Sequence, residues 1–307
     1  MQSVLKTPMV SNSSWNAAPF PIGKHGSVSS PVSSSSPMSL TYDIQWDPVY
    51  WQQWHLQNWT ICIWFSVMYV IAVRFGVFYM NNRKPLDLRY PLALWSALLA
   101  IFSIAGSYSM VPEILWVLSR DGFHAAACDN SFSQDSSVLF WSWLFVWSKV
   151  LEFGDTAFII LRKQKLSFLH WYHHAMTVIC VFTYFPGMVA INRWTGSMNY
   201  LVHSIMYSYY SLRALRFRIP KPVAITITSM QIAQMMIGFY VAIYELAMKL
   251  TGSPCKITLG ESVFSFSVYF SYFLLFLNFF IRTYFQSTKK TIDSPTQLAQ
   301  GDMKKIK

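Results

Sequence analysis

Residues 59–80 read WTICIWFSVMYVIAVRFGVFYM and end against Asn81-Asn82-Arg83-Lys84. An apolar run of about 20 residues crosses the hydrocarbon core of a bilayer as a helix, and a basic loop stops it. The rest of the chain repeats the pattern. Further apolar runs occupy 91–117, 138–161, 167–186, 198–215, 222–248 and 262–284. The expected fold is therefore an all-α polytopic membrane protein with seven transmembrane helices. Phe185-Pro186-Gly187 breaks the chain between the fourth and fifth. Composition agrees: AVILMFWYC make up 53% of the 307 residues and charged residues only 12%, too few to cover so much apolar surface in a soluble globule. Disorder is excluded except at the ends, and four Cys are too sparse for a disulfide scaffold.

Three segments follow. Residues 1–58 are polar and rich in Ser and Pro, read as a largely disordered luminal tail without a basic-then-apolar leader. Residues 59–285 form the seven-helix domain, and 286–307 a cytosolic basic tail. The net charge of +11 would suit nucleic acid in a soluble protein, but here the cations cluster between apolar runs, as membrane topology requires. One alternating set of loops holds most of them: Arg83, Lys84, Arg89; Arg162, Lys163, Lys165; Arg213, Arg216, Arg218, Lys221; then the C-terminal lysines. The other set has only Lys6, Lys24, Arg120, Arg193, Lys249 and Lys256. The positive-inside rule puts the first set in the cytosol, hence a luminal N-terminus and a cytosolic C-terminus. Sequons at Asn12 and Asn58 then face the lumen. Lys304-Lys305-Ile306-Lys307 resembles a dilysine signal for retrieval to the endoplasmic reticulum, against the plainer reading of a basic tail. Cys128 and Cys255 fall in luminal loops, where an oxidising compartment lets them pair.

Ionisable groups inside spans are costly and mark function by default. The third span ends Lys149-Val-Leu-Glu152-Phe-Gly-Asp155-Thr156, with Lys149 and Glu152 at ion-pair spacing. A purely structural pair is the plain alternative; Asp155 has no cation nearby to explain it. The fourth span opens His170-Trp171-Tyr172-His173-His174, placing three of the seven histidines on one helix face. Metal ligation and nucleophilic or acid–base work are both open to such a cluster. The fifth span carries Asn199, His203, Met206, Tyr207 and Tyr210 as a single stripe, favouring a lined cavity over interfacial anchoring. The sixth adds Thr228, Gln231 and Gln234 at three-residue steps, a pattern that also serves as helix–helix glue.

HxxHH also occurs in membrane di-iron enzymes, but those need about eight histidines in three boxes, and only four lie in this core. A receptor or transporter would bind without chemistry; neither needs an Asp, a Glu and three His at one level, and no internal repeat is evident. The four motifs together, in order and spacing, resemble the ELO/ELOVL family of very-long-chain fatty acid elongases. The resemblance rests on Lys149, Glu152, Phe153, Asp155 and Thr156; on His170, His173 and His174; on Asn199, His203, Met206, Tyr207, Tyr209 and Tyr210; and on Thr228, Gln231 and Gln234. It covers roughly residues 60–285, and the long N-terminal tail departs from it.

That resemblance implies a condensing enzyme that joins fatty acyl-CoA to malonyl-CoA, losing CO₂ and one CoA, with no metal or other cofactor. It implies six helices in a barrel around an acyl tunnel, and a ping-pong route through an acyl-imidazole. His173 is the expected nucleophile, with His203 facing it across the tunnel. His170 and His174 would orient, polarise or shuttle protons, and Asp155 would fix a tautomer. Lys149, Glu152, Asn199, Tyr207, Tyr210, Gln231 and Gln234 are expected to hold substrate. Lys165 and Trp171 stand where polyunsaturate-preferring members carry Gln and Val, which points to saturated and monounsaturated chains. Phe182, Phe185, Tyr244 and Phe264 are candidate walls for the tail. Association with other enzymes of the elongation cycle and self-association are left open.

Overall fold

The computed structural model describes residues 46–285, all of its regular structure helical. Asn12, Lys304 and Lys305 lie outside the described residues. The first helix, α1 (Pro48–Gln57), falls inside the segment expected to be a largely disordered tail. The Asp47 carboxylate accepts the backbone N–H groups of Val49 and Tyr50, and Pro48 occupies the first turn, where no donor is required. Ten residues do not hold a helix in water by themselves. Trp51, Trp54 and His55, at helical spacing, dock it onto Trp143, Trp147, Phe182 and Phe185.

The helices that follow are α2 (Ile61–Met80), α3 (Arg89–Arg120), α4 (Gly122–Cys128), α5 (Ser136–Leu151), α6 (Phe153–Leu161), α7 (Phe168–Gly187), α8 (Ile191–Ala214), α9 (Lys221–Leu250) and α10 (Leu259–Phe280). Among the described residues, four helical stretches are long and apolar enough to cross a membrane: Ile61–Met80, Arg89–Arg120, Lys221–Leu250 and Leu259–Thr283. The third apolar run of the sequence is divided at Glu152 into α5 and α6. α7 and α8 have the length but carry the polar motifs. These helices are sheltered by the others rather than by their own composition.

Packing runs in order from α3 to α5, α5 to α7, α7 to α10, α10 to α9, α9 to α8, and α8 back to α3. α2 rests outside this set, on α6 and α7. Two glycines permit the closest approaches. A methyl on Gly106 would overlap the Tyr200 ring, and one on Gly238 the Tyr269 ring.

The two ends differ. At one, Cys128 and Cys255 are disulfide-bonded, joining α4 to the segment before α10. Arg193, fully buried there, pairs with Glu113 at 2.9–3.0 Å and donates to the carbonyls of Ala125, Ala126 and Asp129. With every donor direction answered, a buried guanidinium is tolerable. At the other end lie Arg89 and Arg213 at helix ends and Arg162 and Arg216 just past them.

Candidate active site

α5, α6, α7 and α8 carry the polar motifs, and the fold brings most of them into three hydrogen-bonded sets. The first is a closed ring. Lys149 Nζ donates to Glu152 Oε1 at 2.6 Å and to Asn199 Oδ1 at 2.7 Å. Because the Asn199 oxygen is thus engaged, its Nδ2 faces His203 Nε2, 3.1 Å away. That nitrogen accepts, so the neutral ring carries its proton on Nδ1, which lies 3.6 Å from Glu152 Oε1. Lys149 and Glu152 are almost wholly buried, at 3% and 4% exposure, and the Lys149 ammonium sits over the Phe145 ring.

Asp155 and His170 sit in two further, separate sets of hydrogen bonds. Asp155 Oδ1 accepts from Trp95 Nε1 at 2.7 Å and Oδ2 from the Tyr207 hydroxyl at 2.6 Å. The expected tautomer-fixing contact between Asp155 and a histidine is absent. His170 Nε2 is instead hydrogen-bonded to Thr156 Oγ1 at 3.0 Å, and Thr156 to Tyr69 at 2.7 Å. The cause is local: Gly154 has no side chain, so the Trp95 indole lies where a Cβ would come within 2.6 Å, and its N–H reaches Asp155 first.

The three α7 histidines are adjacent. Ring centroids of His170 and His174 are 4.5 Å apart, those of His173 and His174 5.7 Å. The His173 ring lies tilted beside Tyr272 and edge-on to Phe276 of α10, and the Tyr272 hydroxyl donates to the His173 carbonyl at 3.2 Å. His173 Nδ1 is buried with no hydrogen-bond partner among the described residues. His203 is within electrostatic reach of it. A neutral imidazole with an unengaged nitrogen in a water-poor site is chemically a nucleophile or a base. Among the described residues no three His, Cys, Asp or Glu are grouped as metal ligands.

Other expected residues lie further out. Gln234 is buried on α9, while Gln231 Nε2 contacts Met206 Sδ at 3.1 Å, an inter-helix contact. Tyr210 is 43% exposed and stands beside Tyr207 and Tyr209. Trp171 belongs with Tyr69, Val73 and Ala175 on the α2 side. Asn58 is half-buried between α1 and α2, its Nδ2 donating to the Trp54 carbonyl. Phe182 and Phe185, expected as walls for the tail, pack toward α1. Both are fully buried against His55, and Phe182 lies half a helical turn away from the His173 face. Trp95, Tyr69 and Tyr272 join the site unannounced, because a lone aromatic in an apolar span carries no pattern of its own.

The chain has clear relatives by sequence. Residues 54–292 match the GNS1/SUR4 family, ELO. A very long chain fatty acid elongase 6 of Drosophila melanogaster is 40% identical over 258 residues, 82% of this chain and 82% of that protein. The Gallus gallus elongase 6 is 42% identical over 78% of this chain and 89% of its own. The Homo sapiens elongase 3 is 40% identical over 76% and 86%. The chain therefore belongs to the ELO family of very-long-chain fatty acid elongases.

Proposed function

We propose that this elongase works through an acyl-imidazole formed on His173. The enzyme catalyses the condensing step of microsomal fatty acid elongation: fatty acyl-CoA and malonyl-CoA give a 3-oxoacyl-CoA two carbons longer, with CO₂ and CoA released. His173 attacks the thioester carbonyl, CoA leaves as a thiolate that takes up a proton, and the acyl group rests on the ring. Decarboxylation of malonyl-CoA then generates an enolate whose carbon attacks the acyl carbonyl and returns His173 to its neutral form. The observation that carries this reading is the buried, unpartnered His173 Nδ1. His203, held by Asn199 and Glu152, is placed to polarise the malonyl thioester, and the Lys149–Glu152 pair fixes that orientation. His170 and His174 buttress the nucleophile, while Asp155 positions Tyr207 rather than a histidine.

In this reading α3, α5–α6, α7, α8, α9 and α10 form the barrel around the acyl tunnel, which the cyclic packing order supports. The seven-span count puts the arginine-rich end in the cytosol of an endoplasmic reticulum membrane and the disulfide end in the lumen. A cleft of about 410 Å³ at the basic end is lined by Arg89, Arg162, Arg213 and Arg216, which suits the phosphates of CoA. Lys165 and Trp171 favour saturated and monounsaturated chains; since Trp171 faces α2, it acts by setting how α2 and α7 pack. Asn58 and Asn12 remain candidate glycosylation sites, and Lys304 and Lys305 a candidate retrieval signal.

The test uses microsomes containing the full chain, labelled malonyl-CoA and acyl-CoA. Product should form with the native protein and not with His173→Ala. Intact-mass analysis without malonyl-CoA should show an acyl adduct on the native protein alone. Near-normal elongation by the variant would remove the acyl-imidazole route.

A further inference from the structure

α2 packs outside the cyclic set of helices, yet its buried face grips the histidine box. Cys62, Ser66, Tyr69 and Val73 are buried at steps of four, three and four residues, one face of a helix. Ser66 Oγ donates to the carbonyl of Ala175, the residue after His174, at 2.9 Å. Tyr69, one turn further on, is hydrogen-bonded to Thr156 Oγ1 at 2.7 Å, and Thr156 Oγ1 to His170 Nε2 at 3.0 Å. Tyr69 and Thr156 are both buried, and the Tyr69 ring lies stacked on Phe153 with centroids 4.0 Å apart. Tyr69 belongs to none of the four motifs.

Counting protons fixes the direction of this relay. Each hydroxyl carries one hydrogen, and two bonds join the three side chains. Were His170 Nε2 protonated, three donors would share two bonds. One buried hydrogen would then have no acceptor among the described residues, which is unfavourable. With Nε2 bare, Tyr69 donates to Thr156, Thr156 donates to Nε2, and no donor is left over. The proton of the neutral His170 ring is then on Nδ1.

We propose that Tyr69 is a positioning residue for the condensation, holding His170 through Thr156 as a single tautomer in a single orientation. The inference rests on the His173 reading above. Three neutral imidazoles side by side have two tautomers each, and pinning His170 from α2 halves the arrangements open to the set. Ring centroids of His170 and His174 are 4.5 Å apart and those of His174 and His173 5.7 Å, so order imposed on His170 is order beside the nucleophile. Tyr69 itself touches no reacting atom; it acts through Thr156.

The experiment compares the native full chain with Tyr69→Phe, Thr156→Val and Thr156→Ser. Tyr69→Phe keeps the ring on Phe153 and removes only the hydroxyl, which frees Thr156 to accept from Nε2 and lets both His170 tautomers form. Its kcat should fall by about tenfold with KM for acyl-CoA within about twofold, because misplacing a catalytic group acts on the chemical step. Thr156→Val should lose as much, and Thr156→Ser, which keeps the hydroxyl, should turn over several-fold faster than Thr156→Val. In protein labelled with ¹⁵N-histidine, the His170 signals, identified by their loss in His170→Gln, should show a bare Nε2 in the native protein and a mixture of tautomers in Tyr69→Phe. A kcat for Tyr69→Phe within about twofold of native, a loss carried by KM instead, or a native His170 protonated on Nε2 each overturns the inference. Should Tyr69→Phe not fold, the native spectrum and the two Thr156 variants decide in the same way. Absence of an acyl adduct from the native protein strikes the His173 reading itself; the tautomer, read without substrate, still supports or overturns the relay.

Discussion

Replacing Lys149 by Met tests whether the buried ring around His203 is what holds the site. The substitution keeps the approximate length of the side chain and removes its charge. It deletes the 2.6 Å bond to Glu152 and the 2.7 Å bond to Asn199 at once. Glu152 is 4% exposed, and its remaining partner is His203 at 3.6 Å, beyond a good hydrogen bond. Removing one partner of a buried pair destabilises by about 3–5 kcal/mol, because the survivor is left uncompensated. At roughly 2–4 °C per kcal/mol for a domain of this size, the melting temperature in detergent should fall by about 6–20 °C. The Lys149→Met, Glu152→Leu double variant should regain most of this loss, since apolar groups replace the pair together. Elongation should stay low in both. Without Lys149, Asn199 is free to turn and His203 loses its fixed tautomer. The reasoning is refuted if Lys149→Met melts within about 2 °C of the native protein, or if the two single losses simply add in the double variant.

Three further expectations follow from packing. Gly154→Ala would push the Trp95 indole off Asp155, lowering kcat by roughly tenfold to a hundredfold through misplacement, with a stability loss below about 3 kcal/mol; melting and turnover measured together check this split. The Cys128–Cys255 bond closes a sequence separation of 127 residues, so Cys128→Ser should destabilise by about 4–5 kcal/mol, and non-reduced peptide mapping should recover the linked pair rather than two free thiols. Burial holds the His55 imidazole below its ordinary pKa, against the bond to the Trp51 carbonyl, which raises it. The unfolded segment then binds more protons, so α1 docking is stable above about pH 6.5 and weakens as pH falls below it. Limited proteolysis near α1 should accelerate on acidification in the native protein and be insensitive to pH in His55→Phe.

The chain order of residues determined a good deal by itself. Apolar runs fix which segments are helices, because helical backbone is what satisfies its own polar groups in lipid. The spacing of Lys149 and Glu152, of His170, His173 and His174, and of Asn199 and His203 already places each set on one face, since 3.6 residues per turn is a local rule. Other features depended on which helix lies against which. Trp95 and Asp155 meet only because α3 and α6 approach over Gly154, and that contact diverts Asp155 from the histidines. Phe182 looked like a wall of the tunnel from its place near the end of α7, but the partner of each helix face is chosen by packing, and here that face belongs to α1. The same applies to α1 itself, too short to be stable until its aromatic side chains find α5 and α7. Periodicity tells which residues of one helix stand together; the volume and shape of the neighbouring helices decide what they stand against.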